Sequence, residues 1–196
     1  MCMIIYKPAG VCPPSFKLLE EFTCRNPHGF GSAVFDGGSP SLLKTLDSSL
    51  FLNELCQAPC DPAWLLHFRY ATAGSKSRSN CHPWLLEDSP YVFAHNGTVP
   101  KFSWDNGLTD SENFLRHFVT PRWLFSRSLQ SVGKGVSPFA RSSRFILTSG
   151  KETLLAGDWF LHRDGWFCSK PSQSYNRREF SSPVFPSSGR YKVMSL

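Results

Sequence analysis

No stretch of this 196-residue chain approaches the ~18 consecutive apolar residues of a membrane-spanning helix. The amino terminus carries no basic segment leading into an apolar one, so no secretory signal is read there. The seven cysteines are an odd number in a chain without an export signal, which argues against a disulfide framework. Structural zinc sites use two short Cys/His pairs; Cys56 with Cys60, and Cys81 beside His82, do not form that pattern. The expectation is a cytoplasmic protein without membrane contact or metal, its cysteines mostly small buried apolar residues.

Acidic residues are absent from Arg116 to Lys151. Residues 1–112 hold 8 Lys/Arg against 11 Asp/Glu, whereas residues 113–196 hold 13 against 4. That asymmetry reads either as a solvated basic face or as a surface for phosphate, nucleic acid or an acidic partner. No zinc knuckle or ribonucleoprotein aromatic motif supports nucleic acid, and no phosphate-binding glycine loop is present.

What is present suits one folded α+β domain: 41% hydrophobic and 14% aromatic residues, enough for a sizeable core. CMIIY (2–6) reads as a short buried strand and Ser15 as the start of a helix near 15–24. GSAVF reads as a strand bracketed by turn residues, and SSLFLNELC as a second helix near 47–57. WLLHFRYAT (64–72) and YVFAHNG (91–97) are continuous apolar runs of the kind buried on both faces. TDSENFLRHFV starts a helix capped by Thr109 or Asp110, and RFILTSG, TLLAGDWFL and GWFCS read as strands of a meander. The domain is expected over 1–170, followed by a Ser/Pro-rich tail, 171–196, of loop or partly disordered chain.

Three of the apolar runs share an oddity, for they deliver polar groups at their ends. HFRYAT ends in Arg69 and Thr72, FAHNG in His95, Asn96 and Gly97, and the first strand carries Cys2. A guanidinium inside an apolar run needs a carboxylate or an anionic ligand. Asn96-Gly97 in isolation reads as a turn. Cys2 reads either as a buried strand residue or, once Met1 is removed, as a thiol beside a free α-amine.

Taken together and in order, Cys2, HFRYATAG, NCHP, FAHNG and TDSE resemble the glutaminase domain of class II glutamine amidotransferases, in a stand-alone form. These are N-terminal nucleophile hydrolases, and the resemblance spans roughly residues 2–160. It implies a four-layer α-β-β-α sandwich of two mainly antiparallel sheets flanked by helices. It also implies hydrolysis of the side-chain amide of L-glutamine, with no cofactor and with ammonia passed to an acceptor enzyme on a separate protein. Within the resemblance, Cys2 is the nucleophile and its α-amine the base, while Asn96 and Gly97 form the oxyanion hole. Arg69 takes the substrate's α-carboxylate and Asp110 its α-ammonium, with Thr72 and Gly74 lining the pocket. His82 and His95 are read as interior hydrogen-bonding groups. The chain departs from the family in carrying Met3 after the nucleophile, Ala73 where a histidine is common, and His28 where an acidic residue is common. Two alternatives stand beside this reading: a hydrolase of another γ-glutamyl amide or peptide, and a catalytically silent binding protein using its basic half.

Overall fold

A computed structural model of the chain describes residues 2–72, 74–170, 179–181, 183–184 and 191–195. Strand β1 (Met3–Lys7) has every residue buried, because it lies inside a sheet covered on both faces. Alternate side chains therefore enter different cores: Ile4 and Tyr6 point between the two sheets, Met3 and Ile5 toward helices. An unbroken apolar run is what such a position demands. Lys7 ends the strand fully buried, its ammonium donating to the carbonyls of Cys60, Asp61 (3.2 Å) and Pro62 (2.6 Å).

Helix α1 (Phe16–Arg25) starts where the Ser15 hydroxyl accepts from Leu18 N. Strands β2 (Phe30–Phe35) and β3 (Ser41–Thr45) form a hairpin, and Asp47 then caps helix α2 (Ser48–Gln57) through Ser49 and Leu50 N–H. Strand β4 (Ala63–Phe68) runs between β1 and β2. After a 3₁₀ turn at Arg78–Asn80 come β5 (Trp84–Leu85) and β6 (Val92–Asn96). Thr109 caps α3 (Asp110–Phe114), which widens into one π turn at Leu115–Val119 and continues as α4 (Thr120–Ser126); left-handed Arg127 ends it, and Ser128 caps a new helix, α5 (Leu129–Val136). Strands β7 (Arg144–Thr148), β8 (Glu152–Ala156), β9 (Phe160–Leu161), β10 (Phe167–Cys168) and β11 (Tyr191–Ser195) complete the described chain.

One sheet has the order β3-β2-β4-β1-β10-β9 and the other β11-β8-β7-β6-β5, with every pairing antiparallel. Their facing surfaces enclose a core of Ile4, Tyr6, Leu65, Val92, Ile146 and Leu155. Leu19, Phe22, Phe51 and Leu55 of α1 and α2 cover the outside of the first sheet. Phe114, Trp123, Val132 and Val136 of α3 to α5 cover the second. The layers are thus helix, sheet, sheet, helix. Among the described residues, no helix is long and apolar enough to cross a membrane.

Three expectations need correcting. The cysteines are not mostly buried: Cys81 and Cys168 are, whereas Cys12, Cys24, Cys56 and Cys60 are exposed. The strands after Arg144 are not one meander: β7 and β8 lie in one sheet, and the chain crosses at Gly157-Asp158-Trp159 to place β9 and β10 in the other. The segment 171–196 is not loop throughout, since Tyr191–Ser195 pairs along the whole of β8. Partly buried Tyr191 and Val193 anchor it against the helix-side core. Residues 171–178, 182, 185–190 and 196 lie outside the described residues.

Four arginines of the basic half have partners on the protein's own surface. Arg116 pairs with Glu112 at 2.7 Å, Arg122 reaches Ser131 O, Arg127 reaches Asp88 O, and Arg144 lies 3.4 Å from Asp158.

Candidate active site

The carboxyl ends of β4 and β6 and the amino end of β1 converge on a cavity of about 550 Å³. Its wall includes Cys2, Arg69, Thr72, Gly74, Asn96, Gly97 and Asp110, all seven of the residues singled out from sequence. His82 and His95 line it as well. Ala73 lies outside the described residues.

Cys2 sits one residue before the β1–β4 ladder, half-buried against the strand end that carries Arg69 and Tyr70. Tyr70 N–H donates to Cys2 Sγ at 3.4 Å, and the thiol lies 3.7 Å from Tyr70 O. Burial pushes the thiol up from its ordinary range; the Tyr70 hydrogen bond, the chain's amino terminus and the Arg69 charge pull it the other way. The resting group is therefore a thiol, which needs a base before it can attack.

Arg69 is buried at 4% exposure, just past the end of β4. Its backbone is clamped to the neighbouring loop, with Arg69 N–H donating to Gly29 O at 2.8 Å and His28 N–H to Arg69 O at 3.0 Å. His28 Nδ1 accepts from Ala71 N–H at 3.0 Å, and its ring packs at a tilt against Tyr70. It braces the Arg69–Thr72 turn from outside. Thr72 and Gly74 form the cavity rim, and a side chain on Gly74 (φ +72°) would meet Thr109 and Asn80.

Asn96 closes β6, and Gly97 then leaves the sheet instead of turning into a hairpin. The residue at 97 has φ +144°, and a Cβ there would come within 2.8 Å of Ser143 Cα. Glycine is required here by backbone packing on the far side, a reason the sequence did not reveal. Asp110 is the first residue of α3; Thr109 is the cap, its hydroxyl accepting from Glu112 N–H. The Asp110 carboxylate accepts from Val99 N–H at 2.6 Å and Ser111 N–H at 2.8 Å, so backbone donors fix it at the cavity wall.

Three buried histidines form the floor of the cavity. His67 Nδ1 accepts from His82 N–H, His82 Nδ1 accepts from His95 N–H (both 3.2 Å), and His95 Nδ1 meets Ser111 Oγ at 2.7 Å. Burial holds His67 down to about 3, His95 to about 4, and His82 well below its ordinary value. The rings are neutral, and they join β4, the His82 loop, β6 and α3 into one hydrogen-bonded unit.

Sequence reasoning missed Ser169 and the connection that supplies Ser103, Trp104, Asp105 and Leu108 to the cavity. Ser169 had the same signal as Arg69 and Asn96, since it is the polar end of the apolar strand GWFCS. The connection carries no comparable pattern. Among the described residues, no group of three or more His, Cys, Asp or Glu side chains is arranged to hold a metal ion.

No family model matches the chain. An uncharacterized protein of Methanocaldococcus jannaschii is 32% identical over a match covering 50% of this chain and 30% of its own length. A glutamine aminotransferase class-II domain protein from Silicibacter pomeroyi superposes with TM-score 0.53 at 15% identity, covering 100% of this chain and 99% of that one. The glutamine phosphoribosylpyrophosphate amidotransferase of B. subtilis superposes with TM-score 0.61 at 15% identity, covering 100% of this chain and 49% of the larger one. With the layer order and antiparallel sheets described above, these likenesses establish that the chain has the N-terminal nucleophile hydrolase fold of class II glutamine amidotransferase domains.

Proposed function

We propose that the chain is a glutaminase of the class II amidotransferase type. It hydrolyses the side-chain amide of L-glutamine through a γ-glutamyl thioester on Cys2 and releases ammonia to an acceptor enzyme on a separate protein. The observation that carries this reading is the meeting, in one cavity, of a thiol, a buried guanidinium, a fixed carboxylate and the Asn96-Gly97 pair, each from a different part of the chain. A glutamine inside a peptide carries neither an α-carboxylate for Arg69 nor an α-ammonium for Asp110 to hold, so the pair selects the free amino acid.

In this mechanism Met1 is removed and the exposed α-amine of Cys2 takes the thiol proton, through a water. The thiolate adds to the side-chain carbonyl carbon, and the new oxyanion accepts from Asn96 Nδ2 and Gly97 N–H. Collapse breaks the C–N bond, the α-ammonium returns its proton to the departing nitrogen, and ammonia leaves. Water then attacks the thioester by the same route, giving glutamate and restoring the thiol.

The test joins mass spectrometry of the amino terminus to an ammonia-release assay on glutamine. A chain beginning at Cys2, with turnover lost in Cys2→Ser, supports the reading. Retained Met1 with no turnover, even with acceptor enzymes added, rejects it. A second reading draws on cavity size: about 550 Å³ falls in the range that holds drug-sized ligands and leaves room beyond the amide along Trp104 and Leu108. A γ-glutamyl compound with a bulkier amine suits that space. A higher kcat/KM for γ-glutamyl anilides than for glutamine would favour it.

A further inference from the structure

Ser169 follows β10, is fully buried, and joins the strand of Cys2 to the end of β6. Its N–H donates to Ile4 O at 3.0 Å, and its hydroxyl oxygen accepts from Ile4 N–H at 3.0 Å. The same oxygen lies 2.9 Å from Asn96 Nδ2. In that arrangement Asn96 Oδ1 is buried with no hydrogen-bond partner among the described residues. With two donors already on its oxygen, the Ser169 hydroxyl has its own proton left to place.

Both needs are met if the Asn96 amide is turned by 180°, a change that barely alters its shape. Ser169 then accepts from Ile4 N–H and donates its own proton to Asn96 Oδ1. Asn96 Nδ2 then takes the buried place that Oδ1 held, with neither hydrogen committed to Ser169. We propose that Ser169 is a positioning residue that sets the Asn96 amide with its oxygen held and its N–H groups presented to the reacting carbonyl. Through Ile4 it references that amide to the strand carrying Cys2, although nucleophile and oxyanion donor stand on different sheets. This rests on the glutaminase reading for its catalytic consequence, but the orientation of the amide does not.

The experiment is a double-mutant cycle on glutamine turnover. Ser169→Ala is expected to lower kcat by roughly 10–100-fold with KM within about threefold, a part of the ~10²–10³ loss expected on removing the donor itself. Because Ser169 acts through Asn96, adding Ser169→Ala to Asn96→Ala should cost nothing more. Full multiplication of the two losses, or an unchanged kcat in Ser169→Ala, overturns the proposal. A second measurement works without turnover: in ¹⁵N spectra the Asn96 side-chain amide is expected to give one sharp proton pair in the wild type, broadened in Ser169→Ala. An unaltered pair also overturns it. If the wild type releases no ammonia while the amide responds as expected, the glutaminase reading fails and the orienting role stands.

Discussion

Asn96 and Arg69 sit in one cavity and are expected to fail differently when altered. On the proposed glutaminase mechanism, Asn96→Ala removes a donor that matters only once the carbonyl becomes an oxyanion, so kcat should fall by ~10²–10³ with little change in KM. On the same mechanism, Arg69→Lys replaces a planar fork with a point charge against a substrate carboxylate bound equally in the ground and transition states. There KM should rise by roughly tenfold while kcat holds, as steady-state kinetics would read. The histidines make a prediction about pH. Their folded values lie near 3 for His67, near 4 for His95 and well down for His82, against an ordinary 6.5. Below about 6.5 the unfolded chain takes up protons that the folded chain refuses, so stability is intact above that pH and is lost as pH falls toward 4. Urea midpoints should drop steadily over that window, and His67→Gln should flatten the slope by about one proton.

At the scale of elements, legibility followed burial. β4 and β6 lie inside sheets covered on both faces, so every residue is apolar or specially partnered and the runs stand out. The polar residues at their ends stood out for the same reason, which is how Arg69 and Asn96 were found. β3 is half exposed, and its SLLKT has no such contrast. α5 was hidden by Gly133 and Gly135, poor helix formers. Gly133 is nonetheless needed because the Tyr191 ring lies where a Cβ would stand. The widened turn at Leu115–Val119 leaves no mark in an apolar spacing that still fits a helix. Gly97→Ala tests the junction between β6 and the connection beyond it. A methyl placed against Ser143 Cα on a left-handed backbone should lower stability by about 1–3 kcal/mol, read as a reduced thermal midpoint, and should displace the neighbouring N–H enough to depress turnover.

Across the molecule, the two helix layers serve different purposes. α1 and α2 back the sheet whose β1 follows Cys2, whereas α3 brings Asp110 to the cavity from the other side. β11 serves neither purpose, since it covers the outer edge of β8, away from β6 and the cavity. Ending the chain after residue 184 should therefore lower the urea midpoint through loss of that edge and of Tyr191 against Gly133. KM for glutamine in the folded fraction should stay within about twofold. A rise in KM matching that of Arg69→Lys would show that the edge strand shapes the cavity after all.

The place of β1 in its sheet also bears on time. That strand is flanked by β4 and by β10, and Ser169, which bonds to Ile4, follows it by 165 residues. At ~5–20 residues per second, β1 waits on the order of ten seconds before its second neighbour has been synthesised. Throughout that interval the strand cannot be sealed on the side that β10 will take.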